Sequence, residues 1–466
     1  MRALILAGLL LSTSAMAAPA DNQWHAKARE LLDKAIAFPT VAGRGQHVAY
    51  ADYLAAEYKK AGFTDVRVEP YEGLKGDDTA ALIVRWPATT REKAKPILLM
   101  SHMDVVEAKP SDWTLDPFKL VEKDGYYYGR GVIDIKSGNV AVTAALLKLR
   151  AEGFKPKRDL IVFFTGDEET EMNGARLGAT EWRKKGWTDA EYGLNSDGGG
   201  GAFTSDGRAL GFGLQTAEKT YQSYDLTVRN RGGHSSRPRP DNAIYELATA
   251  LKKLEAHRFA PGLNETTRAY FAERAKQESG PLGEAMRRWV VNPNDGAAAD
   301  AIEASELEVG TTRTRCVATM LNGGHADNAL PQLAQARVNC RILPGVEPKV
   351  IEAELKTVVG PDVEVTSFGT PNVPTPVSPL RSDVVGAYTK SVQTSFPKAQ
   401  VIPQMSTGAT DGKEFRAVGI PVYGVDGSWI VSPEDERAHG RDERLPVKAL
   451  DDNVDHWVRM IRALAG

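Results

Sequence analysis

Phe164-Thr165-Gly166-Asp167-Glu168-Glu169-Thr170 joins the end of an apolar run to a cluster of acidic residues. The apolar run from Leu160 to Phe164 leads into it and predicts a buried strand. Three consecutive carboxylates then follow, where that strand gives way to a loop. Because crowded like charges are unfavourable without a positive charge among them, we expect this loop to bind a cation.

Two further apolar runs end in the same way. Ile97-Leu98-Leu99-Met100 leads into Ser101-His102-Met103-Asp104, and the run from Tyr192 to Ser196 leads into Asp197. Open α/β sheets bind ligands at the carboxyl ends of their strands, so three such ends predict one shared cation site. Strands, acidic loops and helices alternate up to about Gly213, which predicts an α/β fold with a mostly parallel sheet covered by helices.

A chain of 466 residues is longer than a single hydrophobic core ordinarily supports, which predicts two domains. From about Thr220 the order of elements changes to β-α-β-β-α-β, which predicts a small α+β, ferredoxin-like sheet with helices on one face. We place this inserted domain at 216–370 and the parallel-sheet domain at 21–215 and 371–466. Residues 258–310 are polar, and their pattern assigns no clear structure.

The amino terminus has the pattern of a secretory signal. A single charge, Arg2, precedes an apolar core from Ala3 to Leu11, and Ala15-Met16-Ala17 is a cleavage site. We expect residues 1–18 to be removed, leaving no membrane span, and the protein to be exported to the periplasm; a retained anchor is the alternative. The formal net charge of −3 gives no reason to propose nucleic acid as a partner.

The two cysteines, Cys316 and Cys340, lie in two strand-like runs, 313–321 and 333–343. If these runs pair as a hairpin, the two side chains could face each other, and export makes a disulfide chemically allowed. Two alternatives follow, a structural disulfide or two buried thiols.

Five residues at predicted strand ends or in loops are candidate metal ligands: His102, Asp134, Glu169, Asp197 and His439. Imidazole and carboxylate ligands in similar number suit zinc, and also manganese or cobalt. A carboxylate can bridge two metals, as two-metal hydrolases require. Asp104 lies two residues after His102, where its carboxylate could accept the second imidazole N–H. Glu168 could act as the general base on water, because successive residues that leave a strand diverge.

The candidate residues fall within motifs that occur in a fixed order along the chain: Ser101-His102-Met103-Asp104, Asp116-Pro117-Phe118, Gly129-Arg130-Gly131, Asp134-Ile135-Lys136-Ser137-Gly138, Gly166-Asp167-Glu168-Glu169 and the late His439. In this combination the chain resembles the M20 family (M20/M25/M40) of dinuclear zinc metallopeptidases, which includes dipeptidases, carboxypeptidases and aminoacylases. The resemblance runs from about Leu31 to the carboxyl terminus.

The resemblance implies a catalytic domain of zinc-exopeptidase type with two divalent metal ions. It implies these roles: His102 and Asp197 bind one metal, Glu169 and His439 bind the other, Asp134 bridges them beside a cis peptide bond, Asp104 orients His102, and Glu168 is the general acid/base.

The resemblance also implies that the inserted domain is a lid through which the chain forms a homodimer. His234 matches the histidine that stabilises the oxyanion, often from the partner subunit. Asn328 and Arg341 match substrate-binding positions, and Arg341 would suit a substrate carboxylate; an ordinary surface charge is the alternative. Lys413 stands where the family has Arg in a substrate-binding loop, and its ammonium lacks the planar fork of a guanidinium.

Together these inferences predict an exported exopeptidase that hydrolyses an amide bond in dipeptides or small peptides, with water bridged by two metals and Glu168 as general acid/base. Asp197 stands where many relatives have Glu. In the family, Asp at this position accompanies aminopeptidase and dipeptidase activity, and Glu accompanies carboxypeptidase and acylase activity. The alternative is an N-acyl-amino-acid amidohydrolase or carboxypeptidase with the same site. A non-catalytic binding protein is a third hypothesis.

Overall fold

The computed structural model describes residues 22–74, 76–90, 94–369 and 372–466, so the predicted signal peptide at 1–18 lies outside the described residues. The strands are β1 Asp65–Glu72, β2 Asp78–Trp86, β3 Ile97–His102, β4 Val121–Lys123, β5 Tyr126–Tyr128, β6 Leu160–Thr165, β7 Tyr192–Phe203, β8 Ala209–Glu218, β9 Thr220–Arg229, β10 Gly233–His234, β11 Arg315–Gly323, β12 Ala329–Leu330, β13 Leu333–Ile342, β14 Glu364–Phe368, β15 Val401–Ser406, β16 Val422–Val431 and β17 Arg444–Pro446.

The helices are α1 Asn22–Ala37, α2 His47–Lys60, α3 Lys136–Ala151, α4 Asn173–Leu177, α5 Ala243–Ala256, α6 Glu265–Gln277, α7 Gly280–Val291, α8 Gly296–Glu303, α9 Pro348–Val359, α10 Ser382–Ser395, α11 Gly412–Ala417 and α12 Val447–Ala465. Among the described residues, no helix combines the length and the apolar character needed to cross a membrane.

The main sheet has eight strands in the order β1-β2-β6-β3-β7-β16-β8-β15. Its central strands β6, β3, β7 and β16 are parallel to one another. Helices α1, α2, α3, α10 and α12 pack on one face, and the segment around Trp182 together with α11 packs on the other. This confirms the predicted α/β class, with a mostly parallel sheet covered by helices.

The register of the central strands brings the predicted strand ends to one edge of the sheet. His102 of β3 lies opposite Thr165 of β6, and Met100 lies opposite Asn195 of β7. The acidic loop after Thr165 and the Asp197 position therefore lie beside His102, as expected for a ligand site at the carboxyl ends of parallel strands.

The pattern of Ala81 to Val84, in β2, predicts a strand at the edge of a sheet. This prediction is wrong. β2 lies between β1 and β6. Ala81 and Ile83 pack into one apolar cluster, and Leu82 and Val84 pack into the other. Because both faces of β2 are covered, it has the apolar composition of an inner strand and β1 forms the edge.

A second sheet of four antiparallel strands, in the order β11-β13-β9-β14, lies within the predicted range 216–370. Helices α5 and α9 pack on one of its faces, which gives the β-α-β-β-α-β order that the sequence predicts. Cys316 of β11 lies directly opposite Cys340 of β13, and the two form a disulfide. Of the two alternatives for the cysteines, the disulfide is confirmed.

Residues 258–310, which the sequence pattern leaves unassigned, contain the helices α6, α7 and α8. These helices enclose a small core of their own around Phe271, Met286 and Trp289. The segment packs against the main sheet, where the hydroxyls of Thr266 and Thr216 lie 2.5 Å apart. Each helix contributes only a few apolar residues to this core, so no single helix has a long apolar repeat to reveal it.

Candidate metal centre

His102, the last residue of β3, is buried with its ring fixed from one side. Its Nδ1 lies 3.0 Å from the backbone carbonyl of Asp104, which can only accept, so Nδ1 carries the proton and Nε2 is free to bind a cation. The nearer oxygen of the Asp104 carboxylate lies 3.4 Å from the same nitrogen, so the proposed role of Asp104 in orienting His102 stays a prediction. The carboxylate also accepts the backbone N–H groups of Glu168 (3.1 Å) and Glu169 (2.9 Å). Asp104 thereby fixes the end of β3 against the acidic loop.

The two oxygens of Asp134 face different histidines. Oδ1 lies 3.1 Å from His102 Nε2, and Oδ2 lies 3.0 Å from His439 Nε2. His439 Nε2 also lies 2.9 Å from Glu169 Oε1, and Asp197 Oδ2 lies 4.0 Å from His102 Nε2. The five predicted ligands therefore meet in two groups that share Asp134, and the Asp134–Ile135 peptide bond is cis as the resemblance implies.

Glu443 holds the loop that carries Asp134, and it is not among the residues predicted from the sequence. Its fully buried carboxylate accepts Nη1 of Arg130 (2.6 Å) and the backbone N–H groups of Gly131 (2.9 Å), Ile133 (2.7 Å) and Asp134 (3.1 Å). Its place four residues after a predicted ligand was the one signal available in the sequence.

Glu168 lies beside the group that contains His102 and Asp197. Carboxylate and imidazole atoms of these three residues lie within 4.8 Å of one another, as do those of His102, Asp134 and Glu169. Burial, followed by the nearby charge of Asp197, raises the pKa of Glu168 well above its usual value. Glu168 is thus close enough to exchange a proton with a group held by this cluster.

Asp411 is a second carboxylate that the sequence analysis did not select. One of its oxygens accepts the hydroxyl of Thr165, and the other has no hydrogen-bond partner among the residues that the structure describes. Burial raises the pKa of Asp411 well above its usual value. It adds to the excess of carboxylates over histidines at this edge of the sheet.

The charged groups of this cluster shift one another's pKa values. Burial, with Asp134 and Glu169 nearby, raises the pKa of Asp197 to about 7. Asp134 and Glu169 raise the pKa of His439 to about 10. Buried carboxylates in excess over imidazoles are the donor set that divalent metals such as zinc bind, so these residues fit a metal centre.

His234 and Asn328 lie together on exposed turns of the second domain. The short strands β10 and β12 pair His234 with Ala329, and the backbone N–H of Ser235 donates to the carbonyl of Asn328 at 3.0 Å. His234 Nδ1 accepts the backbone N–H of Ser236 at 3.1 Å. Within the described part of a single chain, neither side chain forms a hydrogen bond or ion pair with the five predicted ligands.

Arg341 contacts the loop that follows β15, and Lys413 lies in α11, directly after that loop. Arg341, at the end of β13, donates to the carbonyl of Thr407 at 3.3 Å, and its guanidinium lies 4.8 Å from the ring centre of Tyr221. Lys413 donates to Oδ1 of Asn372 at 3.3 Å. Arg341 is half-buried, and its role in substrate binding stays a prediction.

Comparisons with known proteins agree with this geometry. A sequence model of peptidase family M20/M25/M40 matches residues 98–463. N-fatty-acyl-amino acid synthase/hydrolase PM20D1 of Xenopus tropicalis is 27% identical over 379 residues, which cover 79% of this chain and 72% of that protein. Probable carboxypeptidase S-like 2 of Dictyostelium discoideum is 28% identical over 82% of this chain and 74% of that protein.

Solved structures share the fold. The M20 family metallo-carboxypeptidase Sso-CP2 of Sulfolobus solfataricus has a TM-score of 0.68 at 19% identity, over 94% of this chain and 98% of that one. A dinuclear metal-binding M20 peptidase of Bacillus subtilis has a TM-score of 0.58 at 11% identity, over 94% and 98% of the two chains. With a family match that spans most of its length, this chain belongs to peptidase family M20/M25/M40 and is a hydrolase of that family.

Proposed function

We propose that the chain hydrolyses an amide bond in short peptides or N-acyl amino acids with the aid of two divalent metal ions. The observation that carries this proposal is the placement of Asp134, whose two carboxylate oxygens each face a different histidine. A carboxylate so placed suits a bridging ligand, with His102 and Asp197 on one side and Glu169 and His439 on the other. The donor set suits zinc, with manganese and cobalt as alternatives.

Two metals at these residues would polarise the scissile carbonyl and lower the pKa of a water molecule. Glu168 would take the proton of the attacking water on its carboxylate and deliver it to the leaving nitrogen. Its raised pKa suits a group that must hold a proton between these two steps. His234 would donate a hydrogen bond to the carbonyl oxygen, from the lid of a partner subunit.

The proposed homodimer is supported by the edge of the second sheet. Strand β11 is an edge strand, and its side chains Val317, Met320 and Leu321 are all exposed. An exposed apolar edge strand is a ready pairing surface for a second copy of the chain. The proposed export is supported by the Cys316–Cys340 disulfide, because such bonds persist in oxidising compartments.

Two classes of substrate could be hydrolysed at this site. The Asp197 position favours dipeptides by resemblance, and the names of the two curated relatives favour N-acyl amino acids or carboxypeptidase substrates. A dipeptide with a free amine and its N-acetylated form separate the two classes in one assay. Faster cleavage of the free amine supports a dipeptidase, and faster cleavage of the acetylated form supports an amidohydrolase.

The test of the mechanism is Glu168→Gln. We expect turnover to fall by about 10²–10⁴-fold while metal content is unchanged, because the substitution removes the proton carrier and leaves the ligands in place. The matched control is Glu171→Gln in the same loop, where the side chain is exposed. Turnover close to the original rate in the Glu168→Gln variant would contradict the assignment.

A further inference from the structure

A cavity of about 580 Å³ is lined by residues at the ends of three neighbouring strands of the second sheet. Lys219 directly precedes β9, Arg315 is the first residue of β11, and Arg341 lies next to the last residue of β13. None of the five proposed metal ligands is among the described residues that line this cavity, and Glu168 is not among them either. The cavity is therefore separate from the metal centre, and its volume is in the range of pockets that enclose small organic ligands.

The register of these strands places positive charges side by side. Arg315 lies directly opposite Arg341, and Arg341 lies opposite Tyr221, which follows Lys219 and Thr220 in the chain. Residues directly opposite each other in an antiparallel pair project from the same face, where like charges are unfavourable. An anion bound between these side chains would remove that repulsion.

Cationic side chains outnumber carboxylates in the lining of the cavity. Among the described residues, Glu255 is the one carboxylate that lines it, and this residue forms an ion pair with Lys252, which does not line it. The lysine and arginine side chains in the lining are Lys219, Arg258, Arg313, Arg315 and Arg341. The cavity therefore has a positive potential, which favours anionic ligands.

Two carboxylates outside the lining compensate part of this charge. Asp300 Oδ1 lies 2.7 Å from Nη2 of Arg313, and Glu303 Oε2 lies 3.6 Å from Nη1 of Arg315. Among the described residues, Nε of Arg313 is buried without a hydrogen-bond partner, and Arg258 donates to backbone carbonyls alone. Hydrogen-bond donors for an anion therefore remain in the cavity.

The ammonium of Lys219 is buried, and no carboxylate of the described residues forms an ion pair with it. The side chain is 2% exposed, and its Nζ donates to the carbonyl of Arg313 at 2.6 Å. Burial lowers the pKa of Lys219 to about 8, and the charges of Arg315 and Arg341 lower it further against the opposing effect of Glu303. A bound anion would stabilise the charged form of this side chain.

Apolar side chains complete the lining. Leu254 and Phe259 are almost fully buried in the wall, whereas Val309 is 44% exposed. A ligand with an aromatic or alkyl body can contact these side chains while its anionic group contacts the cations. The lining therefore suits an organic anion better than a small inorganic ion.

We propose that this cavity binds a small organic phosphate monoester, whose phosphate group contacts Lys219 and Arg315. A phosphate monoester carries about two negative charges at neutral pH, and guanidinium groups bind its oxygens in pairs. Because Arg341 lines the same cavity, the bound phosphate attracts the guanidinium proposed to hold the substrate carboxylate and should weaken substrate binding. The anion site is independent of the proposed function, whereas this effect on the substrate rests on it.

The first test is calorimetry of phenyl phosphate with the metal-loaded protein near neutral pH. Benzenesulfonate is the matched ligand, because it has the same ring and the same number of oxygens but a single charge. We expect phenyl phosphate to bind about tenfold or more tightly than benzenesulfonate. Equal affinity for the two ligands, or no saturable binding of phenyl phosphate, would overturn the proposal.

The variants Lys219→Met and Arg315→Met separate this cavity from the metal centre, which can also bind phosphate. Each substitution keeps an apolar stem and should weaken phenyl phosphate binding about tenfold, because it removes a charge-assisted hydrogen bond. The matched control is Arg229→Met in β9, outside the cavity, since Arg229 lies 3.6 Å from Glu364 just as Arg315 lies 3.6 Å from Glu303. Unchanged binding in both Lys219→Met and Arg315→Met would place the ligand elsewhere and overturn the proposal.

Kinetics test the effect on substrate binding. Phenyl phosphate should raise KM for a dipeptide with kcat unchanged, and Arg315→Met should need about tenfold more phenyl phosphate for the same rise. An equal rise in the original protein and in Arg315→Met would overturn the effect on Arg341. If no amide is cleaved but phenyl phosphate still binds and Lys219→Met weakens this binding, the proposed function fails and the anion site stands.

Discussion

Glu443 positions the proposed metal ligands although it is not one of them. One carboxylate holds the backbone from Gly131 to Asp134, and the same residue lies in the loop that carries His439. It therefore fixes the proposed bridging ligand relative to the proposed ligand of the second metal. His102, Glu169 and Asp197 could be predicted because they follow apolar strands, and the family resemblance supports Asp134 and His439. Glu443 and Asp411 lie in loops where the sequence has no period.

Replacing Glu443 with Gln removes one acceptor oxygen and the charge that pairs with Arg130. We expect metal affinity to fall about 10–100-fold, as for other groups that orient ligands. We also expect a loss of about 3 kcal/mol in unfolding free energy, because Arg130 is left without its buried partner. Metal titration and urea unfolding measure the two effects separately.

Glu303→Gln is the matched control for Glu443→Gln. Glu303 is a nearly buried carboxylate that accepts the backbone N–H groups of Gly310 and Thr312 and lies 3.6 Å from Arg315, in the second domain. The Glu303→Gln substitution should lower the free energy of unfolding and leave metal affinity unchanged. Equal metal affinity in both variants would show that Glu443 has no part in positioning Asp134.

Helix α12 and strand β16 are joined by a buried histidine in a single neutral form. His456 Nε2–H donates to the carbonyl of Val425 at 2.9 Å, and the hydroxyl of Ser391 contacts Nδ1 at 2.9 Å. Burial, with the nearby charge of Arg459, lowers the pKa of His456 to about 3. Protonation would place a charge where the fold offers no acceptor beyond these two groups.

Because of His456, the free energy of unfolding should decrease as the pH falls. In the unfolded chain a histidine binds a proton below about pH 6.5, whereas folded His456 does so only near pH 3, so the unfolded state gains protons first. We expect unfolding free energy to drop by about 2 kcal/mol between pH 6.5 and 5 on this account. Urea unfolding at both pH values should show this drop, and His456→Gln should remove it. The control is His325→Gln, which replaces an exposed histidine. If the unfolding free energy of His456→Gln falls with pH as steeply as that of the original protein, the explanation is refuted.

The helices predicted from apolar spacing differ from helices α6 to α8 in what they pack against. The apolar spacing predicts helices over Pro348–Val359 and Ser382–Ser395, and α9 and α10 have these bounds because each has one apolar face against a sheet. Helices α6 to α8 share a core with one another, and strand β15 lies at the edge of its sheet with a mixed pattern. Their structure depends on contacts between segments, which a local pattern does not contain.

At the scale of the whole molecule, the site described in one chain lacks the proposed oxyanion donor. His234 lies on an exposed turn of the second domain, and exposed β11 offers a surface for a second copy. Both sheets and their order along the chain could be predicted from the sequence, because each has its own pattern of elements. The way in which two copies of the chain pair could not be predicted, since pairing depends on surfaces rather than on the periodicity of the sequence.

We expect Leu321→Glu in β11 to shift the protein from dimer to monomer and to lower turnover, because it places a charge on the proposed pairing edge. Light scattering coupled to size exclusion measures the mass, and Val291→Glu on α7 is the control for an exposed apolar residue elsewhere. A fully active monomer of the original sequence would contradict both the dimer and a histidine supplied by the partner. Mixed His234→Ala and Glu168→Gln chains should recover about a quarter of full activity through hybrid dimers.

The proposed mechanism requires two metal ions at the shared Asp134 for amide hydrolysis. The most direct test is elemental analysis of the mature protein, with amide hydrolysis measured on the same sample before and after chelation and after reloading with zinc. We expect about two metal ions per chain, loss of hydrolysis on chelation and its return on reloading. Hydrolysis that persists in metal-free protein, or a chain that takes up no metal on reloading, would contradict the claim.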